Sequence, residues 1–328
     1  MAKKISFRKP QERKQGLKFL FYGENGVGKS VAALTFPQNA IIDSESKIGV
    51  YEKNPKYQKN IAGIADTSDY YETIDLAELV VNNPDQFKTF TIDSLTNIAN
   101  AMQVSAMEVE EKRALKKGKD IDDATVSQRG WGKVKLNTVR LNNYIAQASA
   151  NGTTVIAIAH KEDIMQEVGD KRIKIGERAD LRKGAEHVFD VILKFYKEKD
   201  IATGEYKFFV EVEKDTTGTY KVGTVIENFT YDNYKDYIEG QEKSKAIEAK
   251  YDKTIDENMK IMQQEQETHD EVVEEFKELF KKAVAKDKEN KEKVAKLMKD
   301  LGVEKYTDST KTAELKKVIK EIKNMIEE

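Results

Sequence analysis

Eight residues near the start of the chain have the spacing of a phosphate-binding loop. Residues 23–30 read Gly-Glu-Asn-Gly-Val-Gly-Lys-Ser and fit the pattern G-x-x-x-x-G-K-[ST]. Backbone N–H groups of such a loop point at nucleotide phosphates, the lysine reaches the β- and γ-phosphates, and the hydroxyl holds Mg²⁺. The residues predicted to contact the nucleotide are Gly23, Glu24, Asn25, Gly26, Val27, Gly28, Lys29, Ser30 and Val31. The alternative is a glycine-rich turn without function.

Acidic residues follow two segments that resemble buried strands. Asp43 and Glu45 end the segment that begins at residue 39, and Asp93 ends the segment that begins at residue 87. Ligands of open α/β sheets bind outside the carboxyl ends of the strands, so Asp93 is expected at the phosphate site and one or both of Asp43 and Glu45 near the γ-phosphate. Asp93 is the candidate ligand of Mg²⁺ together with Ser30, although an aspartate there can also cap the next helix. Asp43 and Glu45 are two residues apart and are predicted to share one face, unless both are solvated loop acids.

Two further side chains have types that suit work at a nucleotide or nucleic-acid site. His160 ends the apolar segment 153–160. A lone histidine is usually structural, but a histidine at the end of a central strand beside a P-loop more often contacts the ligand. Trp131, the single tryptophan, lies between two glycines and beside Arg129 and Lys133. It is either a platform on which a base stacks or a core anchor at the start of a helix, and the sequence does not choose between them.

A dense group of cations lies between residues 161 and 187. Such a group can follow a phosphate backbone, and it is the candidate DNA-binding site. The alternative is an ordinary charged hairpin around Gly169, because acidic residues are interspersed. The cations are Lys171, Arg172, Lys174, Arg178, Arg182 and Lys183.

The elements that position these residues alternate between strand and helix. Residues 17–22 read as a buried strand before the P-loop, and residues 31–34 read as the helix after it. Helical periodicity is predicted over 70–81, 94–115 and 134–148, and the apolar strand 153–160 is typical of a parallel sheet. Strands 188–196, 206–213 and 225–230, with turns between them, predict an antiparallel extension of that sheet.

Composition bounds the class of protein. The 328 residues include no cysteine and only three histidines, so disulfides and thiolate metal sites are excluded and a zinc site is disfavoured. No apolar run is long enough to cross a bilayer, and no apolar signal segment follows Met1, so a cytoplasmic protein without membrane contact is expected. The net charge of −2 requires any DNA site to be a local patch.

Changes in composition predict four segments. Residues 1–16 form a basic arm, 17–240 the nucleotide-binding core, 241–269 a helix and a polar linker, and 270–328 a small helical domain. The last segment uses lysine as its only strong cation and has three amphipathic stretches. It is either a surface for a partner or a stabilising cap.

The motifs together resemble the RecA-like ATPase core. They are the P-loop, Ile-Ile-Asp-Ser-Glu at 41–45, Thr-Ile-Asp-Ser at 91–94 and Ile-Ala-Ile-Ala-His at 156–160. The chain is most similar to phage-encoded RecA-like nucleotide-binding proteins of single-strand annealing and recombination, over about residues 15–235. The resemblance implies an α/β fold with a mainly parallel central sheet, an antiparallel extension and, outside the likeness, the small C-terminal helical domain.

Residue roles follow from this resemblance. Glu45 is implied as the general base, with Asp43 not excluded, and His160 as the γ-phosphate sensor at a position where the family often has Gln. DNA-binding loops are implied at about 110–128 and 161–183. Lys214 resembles weakly the cation that a neighbouring subunit places on the γ-phosphate.

The resemblance implies a function and partners. We expect Mg²⁺-dependent ATP hydrolysis by Lys29, Ser30, Asp93 and Glu45, coupled to binding and pairing of single-stranded DNA in a bacterial host cytoplasm. A homo-oligomeric ring or filament and a single-strand-binding protein docked on 270–328 are the expected partners. A RecA-core helicase-type motor, a nucleotide kinase and a non-catalytic ATP-binding scaffold are the alternatives.

Overall fold

A computed structural model describes residues 13–116, 118, 120–122, 124–169, 171–242, 249, 251 and 254–327. The chain divides into two compact units, Met1–Asp252 and Lys253–Glu328. The predicted basic arm over 1–16 lies outside the described residues except for its last four positions. None of the helices in the described part of the chain combines the length and the apolar composition that a bilayer crossing requires.

The first unit is built on a central sheet of eight strands. The strands of the unit, eight of which form this sheet, are in chain order β1 (Lys18–Gly23), β2 (Asn39–Asp43), β3 (Ile61–Ala65), β4 (Thr89–Asp93), β5 (Thr154–Ala159), β6 (Lys161–Val168), β7 (Lys171–Ala179), β8 (Val191–Lys199), β9 (Tyr206–Asp215) and β10 (Val225–Glu227). The order across the sheet is β10-β9-β8-β1-β5-β4-β2-β3, and β6 and β7 form a separate two-stranded sheet. The strand of the P-loop and the strand of Asp93 are therefore separated by β5.

Most neighbours in the large sheet are parallel. Strands β8, β1, β5, β4, β2 and β3 run in one direction, while β9 and β10 are antiparallel to their neighbours. The predicted α/β core, with a mainly parallel sheet and an antiparallel extension, is confirmed. The expectation that the extension begins at the strand 188–196 is wrong for that strand, because β8 pairs in parallel with β1.

The helices of the first unit lie on both faces of the sheet. They are α1 (Lys29–Ala33), α2 (Pro55–Gln58), α3 (Tyr70–Asn82), α4 (Leu95–Lys116), α5 (Gln128–Ala150) and α6 (Lys235–Glu242). On one face α3, α4 and α5 cover a core that includes Leu20, Ile92 and Ala157. On the other face α1 and the segment after β10 pack on Phe19, Phe21 and their neighbours. This alternation explains why β1, β4 and β5 are buried throughout.

Helix α5 begins six residues earlier than its periodicity predicts. Ser127 caps it, since its hydroxyl accepts a hydrogen bond from the Gly130 N–H at 3.1 Å. The two glycines of the first turn hide the amphipathic pattern there, although the cap outweighs their low helix propensity.

The second unit is a three-helix assembly. Its helices are α7 (Thr254–Lys286), α8 (Asn290–Asp300) and α9 (Thr312–Glu327). Apolar side chains of all three meet in one core, which includes Phe276, Val294 and Val318. The predicted helical domain is thus present, but the stretch 263–268, expected to be a linker, is part of α7. Its glutamine- and glutamate-rich sequence has good helix propensity, which a reading from polarity alone overlooks.

Candidate functional site

Four parallel strands bring the predicted motifs to one edge of the sheet. Asp43 of β2 lies in register with Asp93 of β4, and Asp93 with Ile158 of β5. Tyr22, one residue before the P-loop, lies in register with Ala159 of β5. The P-loop, the acids and His160 therefore follow strand ends at the same edge, as the sequence predicts.

The P-loop has the backbone geometry that its glycines permit. A Cβ at Gly23 would lie 2.2 Å from the Phe195 carbonyl oxygen, and Gly28 has a left-handed φ of 91°. Other residue types would be strained at both positions. Because α1 has only five residues, the backbone N–H groups of the loop, and not a long helix dipole, supply its attraction for anions.

The Lys29 ammonium lies inside the loop. Its Nζ donates to the carbonyl oxygens of Gly23 at 2.8 Å and Glu24 at 2.7 Å. The side chain is buried, and burial lowers the pKa of Lys29 to about 8 although Asp93 and Glu45 favour its charged form. The Lys29 ammonium is thus held beside the backbone of the P-loop and close to the Ser30 hydroxyl.

Ser30 and Asp93 form a pair of oxygen donors beside Lys29. The Ser30 hydroxyl donates to Asp93 Oδ2 at 2.5 Å. Burial raises the pKa of Asp93, and the negative charges of Glu45 and Asp43 raise it further, against the hydrogen bond from Ser30. A nearby cation would stabilise the ionised form of this carboxylate. Mg²⁺ prefers oxygen ligands and usually keeps several waters beside one or two protein ligands, so these two residues fit a Mg²⁺ site.

Glu45 accepts hydrogen bonds from three side chains. Its Oε1 accepts from Ser94 Oγ at 2.6 Å and from His160 Nε2 at 2.6 Å, and its Oε2 pairs with the Lys47 ammonium. Burial opposes ionisation, but the bonds from Lys47 and Ser94 and the charges of His160 and Lys47 outweigh it and lower the pKa of Glu45 to about 2. Glu45 is therefore ionised at neutral pH.

Asp43 does not share the exposed face with Glu45. Its carboxylate is buried and accepts the backbone N–H of Ile48 at 2.6 Å and of Glu45 at 3.2 Å. The expectation that Asp43 and Glu45 point to one face of the strand end is wrong, because β2 ends at Asp43 and the chain folds over that side chain. Asp43 fixes the loop that carries Glu45.

A second set of polar residues ties the strand ends together. The Ser44 hydroxyl accepts the Ser94 N–H at 2.9 Å, and Asn97 Nδ2 donates to the Ser44 carbonyl at 2.6 Å. Thr96 Oγ1 accepts the His160 N–H at 3.0 Å and donates to the Asp180 carbonyl at 2.9 Å. The peptide bond between Asp93 and Ser94 is cis. The sequence reasoning missed Ser94, Thr96, Asn97 and Lys47, although the Ser-x-Thr-Asn run directly after Asp93 was visible.

A cavity of about 690 Å³ collects these groups. It is lined by residues 25–31 of the P-loop and by Glu45, Lys47, Asp93 and His160. A neighbouring cavity of about 370 Å³ shares Val27, Gly28, Val31 and Phe208 with it and extends along α1. The smaller cavity is bounded by aromatic residues from β8 and β9 and by Asn228 and Thr230.

The predicted DNA-binding cations lie on and after the hairpin of β6 and β7. Half of them are engaged: Lys174 pairs with Asp163 and Glu177, Arg178 with Glu162 and Arg172 with Glu167. For Lys171, Arg182 and Lys183 no ion-pair partner is found among the described residues. The hairpin is thus partly neutralised by its own acids, because antiparallel pairing sets Glu162 opposite Arg178 and Glu167 opposite Arg172.

Trp131 and Lys214 lie apart from the cavity lining. Trp131 is in the first turn of α5 and 44% exposed, so it is not a core anchor. Lys214 pairs in register with Ile192 near the start of β8, whereas the P-loop follows the sheet edge level with Phe195. Its ammonium donates to the Phe189 carbonyl at 2.6 Å. Within one chain Lys214 therefore lies at the sheet edge opposite the P-loop.

Comparison with known proteins places this site in a family context. Residues 15–225 match the AAA_24 family model, described as an AAA domain. A KaiC-like protein of the hyperthermophilic archaeon Pyrococcus horikoshii is similar in structure at 17% identity, with 61% of this chain and 80% of that chain covered and a TM-score of 0.36. The flagellar accessory protein FlaH of Methanocaldococcus jannaschii is similar at 9% identity, with 66% and 85% covered and a TM-score of 0.37. No curated protein sequence matches the chain.

Proposed function

Because this chain belongs to the AAA_24 family of AAA domains, we propose that it binds ATP with Mg²⁺ and hydrolyses it at the edge of its parallel sheet. One observation carries the proposal. A phosphate loop with a buried lysine, a serine–aspartate oxygen pair and an ionised glutamate line one cavity. These are the parts that phosphoryl transfer to water requires, namely an anion cradle, a metal site and a group that orients the nucleophile.

Binding of the triphosphate rests on the P-loop. Its backbone N–H groups and the Lys29 ammonium supply donors and positive charge. In the structure the ammonium is held by two loop carbonyls, and phosphate oxygens compete with those carbonyls for it. Ser30 and Asp93 would hold Mg²⁺, which would supply charge neutralisation for the phosphates.

Hydrolysis rests on Glu45 and His160. The ionised Glu45 carboxylate accepts a hydrogen bond from the attacking water and aligns it with the γ-phosphorus. The water oxygen forms a new bond to the γ-phosphorus and gives its proton to Glu45, while the bond from phosphorus to the bridging oxygen breaks and ADP and phosphate leave. Since a carboxylate only accepts, His160 donates through Nε2 and holds Glu45 in place. His160 also lines the cavity, which suits the γ-phosphate contact expected of it.

The smaller cavity suits the nucleoside. It joins the phosphate cavity along α1 and is lined by Phe208, Phe209 and Phe229 together with the polar Asn228 and Thr230. An apolar pocket with a few polar groups is the usual environment of a base. This arrangement supports a nucleotide over inorganic phosphate alone as the ligand.

The direct test is ATP binding and turnover by the wild type and by Lys29→Ala. The wild type is expected to bind ATP and release phosphate with Mg²⁺, and to lose turnover when Mg²⁺ is removed with EDTA. Lys29→Ala is expected to lose binding while keeping its circular dichroism spectrum, because it removes a buried cation that desolvation disfavours. Lys59→Ala, an exposed lysine after α2, is the matched control. Unimpaired ATP turnover by Lys29→Ala would refute the site.

The finer function that we propose is recombination on single-stranded DNA in a bacterial host cytoplasm. ATP hydrolysis would be coupled to DNA binding and strand pairing in a homo-oligomer, with a single-strand-binding protein on the C-terminal unit. The exposed Trp131 beside Arg129 and Lys133 supports a DNA contact. So do Lys171, Arg182 and Lys183, for which the described residues offer no ion-pair partner. ATPase assays with and without single-stranded DNA, with sizing by light scattering, test this. DNA binding without annealing would favour the helicase-type motor, and ATP binding without turnover would favour the scaffold.

A further inference from the structure

Lys47 is a cation at the site that the ATPase assignment does not use. Its ammonium pairs with Glu45 Oε2, on the carboxylate that also accepts from Ser94 and His160. Lys47 lines the larger cavity, and the repulsion between its charge and that of Lys29 contributes to the lowered pKa of Lys29. The two lysines therefore face the same space from different loops.

Other lysines near the P-loop are engaged elsewhere. The Lys161 ammonium bonds Glu24 at 2.8 Å and Glu177 at 2.7 Å, and Lys197 Nζ donates to the Gly26 carbonyl at 3.4 Å. Neither lines the larger cavity, whose described lysines are Lys29 and Lys47. The Lys47 side chain is about half exposed, so it can change partners at low cost.

We propose that Lys47 is a ligand of the terminal phosphate, and that this phosphate and Glu45 compete for its ammonium. The inference rests on the proposed function, since it names a further residue of the same ATP site. A γ-phosphate carries more negative charge than one carboxylate and offers several acceptor oxygens. It draws Lys47 away from Glu45, whereas ADP has no group at that position and leaves the pair intact.

The exchange changes the chemistry of Glu45. With Lys47 bound, the carboxylate has three donors and a pKa of about 2, which makes it a poor acceptor of a proton from water. When Lys47 moves to the phosphate, Ser94 and His160 still hold the carboxylate, but one donor and one adjacent charge are gone. The basicity of Glu45 then rises only when a terminal phosphate is present to be attacked.

Nucleotide binding tests the phosphate contact without turnover. Isothermal titration with ADP and with the non-hydrolysable analogue AMP-PNP is compared for the wild type, Lys47→Ala, Lys47→Arg and the control Lys59→Ala. Lys47→Ala is expected to weaken AMP-PNP binding about tenfold or more, since a hydrogen bond to a charged group is worth about 1.5–3 kcal/mol. ADP binding should be unchanged, and Lys47→Arg should retain most of the AMP-PNP affinity.

The pH dependence of turnover tests the exchange of partners. The acid limb of kcat/KM reports the free enzyme, and the acid limb of kcat reports the complex with ATP. Lys47→Ala should move the limb of kcat/KM up by about one pH unit or more, because Glu45 loses its cation in the free enzyme. The limb of kcat should move little, because in the wild-type complex Lys47 has already left Glu45.

The outcomes separate this inference from the function beneath it. A wild type that binds neither nucleotide would overturn the ATPase proposal. A wild type that binds both, with Lys47→Ala affecting ADP and AMP-PNP equally or not at all, would overturn the role of Lys47 alone. Equal upward movement of both acid limbs would show that Lys47 stays on Glu45 throughout and is only its salt-bridge partner.

Discussion

The P-loop edge of the sheet and the β6–β7 hairpin are both rich in charged side chains, but these side chains have different kinds of bonding partner in the two regions. At the edge, Lys29 is buried and donates to two backbone carbonyls, and the Ser30 hydroxyl donates to the Asp93 carboxylate. On the hairpin, Lys174 and Arg178 are exposed and each is matched by a carboxylate within 3 Å. At the sheet edge the charged groups line a cavity, whereas on the hairpin acidic and basic side chains neutralise one another across the paired strands.

The difference lies in how the chain delivers the residues. Parallel strands separated by long connections bring side chains from distant parts of the sequence to one edge, where they face a common space. A hairpin pairs near neighbours, so an interspersed sequence of acids and bases neutralises itself. Density of charge along the chain is therefore a poorer guide to a ligand site than position at a strand end.

The largest effect is expected from the carboxylates that follow β2. Glu45→Gln should keep ATP binding and lower kcat by about 10²–10⁴-fold, because it removes the group that orients the water. Asp43→Asn should retain far more turnover but lower stability by about 1–3 kcal/mol, since a buried acceptor of two backbone N–H groups is altered. Phosphate release and chemical denaturation measure the two. A larger kcat loss in Asp43→Asn would mean that the roles are exchanged.

The buried Lys29 ammonium at the sheet edge should make the affinity for ATP depend on pH. Burial lowers the pKa of Lys29 to about 8, and phosphate prefers the ammonium form. Below pH 8 the lysine is already protonated, whereas above it binding must take up a proton, so affinity should fall by at most about tenfold per pH unit. Titration calorimetry between pH 7 and 10 measures this. Lys29→Arg, which stays charged, serves as control, and a flat wild-type profile would contradict the prediction.

Because ion pairs neutralise some cations of the hairpin, we expect the cations to contribute unequally to DNA binding. Replacing Lys171, Arg182 and Lys183 by Ala should lower the salt slope of single-stranded DNA binding by about 2, at about 0.7 per phosphate contact. Replacing the paired Arg172, Lys174 and Arg178 should lower it less, because those ion pairs must break before a phosphate is bound. Fluorescence anisotropy at several salt concentrations measures both. Equal slopes for the two variants would remove the distinction between the cations that form ion pairs and those for which the described residues offer no partner.

The smallest effect is expected from a single ion pair of the ladder. Arg178 bonds Glu162 at 2.6 Å, but the Arg178 side chain is about half exposed and that of Glu162 is 35% exposed. Arg178→Ala should change the free energy of unfolding by less than about 1 kcal/mol and leave ATP turnover intact. Thermal unfolding and the ATPase assay measure these. A loss of turnover would show that the hairpin is coupled to the nucleotide site more tightly than its charges suggest.

The parts of the site that sequence reasoning predicts are those that need only local order. The P-loop spacing, the acid after each apolar strand and His160 after β5 follow from strand, turn and residue type. The roles of Lys47, Ser94 and Asn97 depend on which strand lies beside which, since β2 and β4 are far apart in sequence yet adjacent in the sheet. For the same reason Asp43 and Glu45 could not be told apart until the fold of the loop over Asp43 was known.

The fold was predictable to a similar depth. Element types and most boundaries follow from periodicity, whereas the direction of β8 depends on a neighbour, β1, that lies at the opposite end of the core sequence. The start of α5 was missed because a single capping hydroxyl, at Ser127, outweighs two glycines. Hydrophobic periodicity averages over many residues, so it does not show where one specific contact outweighs local helix propensity.

The position of Trp131 has a spectroscopic consequence. It is the only tryptophan in the chain, it is partly exposed in the first turn of α5, and the unit Lys253–Glu328 has none. Indole emission therefore reports on the nucleotide-binding unit alone, while the far-ultraviolet dichroism of helices reports on both units. Recording the two signals during one denaturant titration resolves the unfolding of each unit in the intact, unlabelled chain.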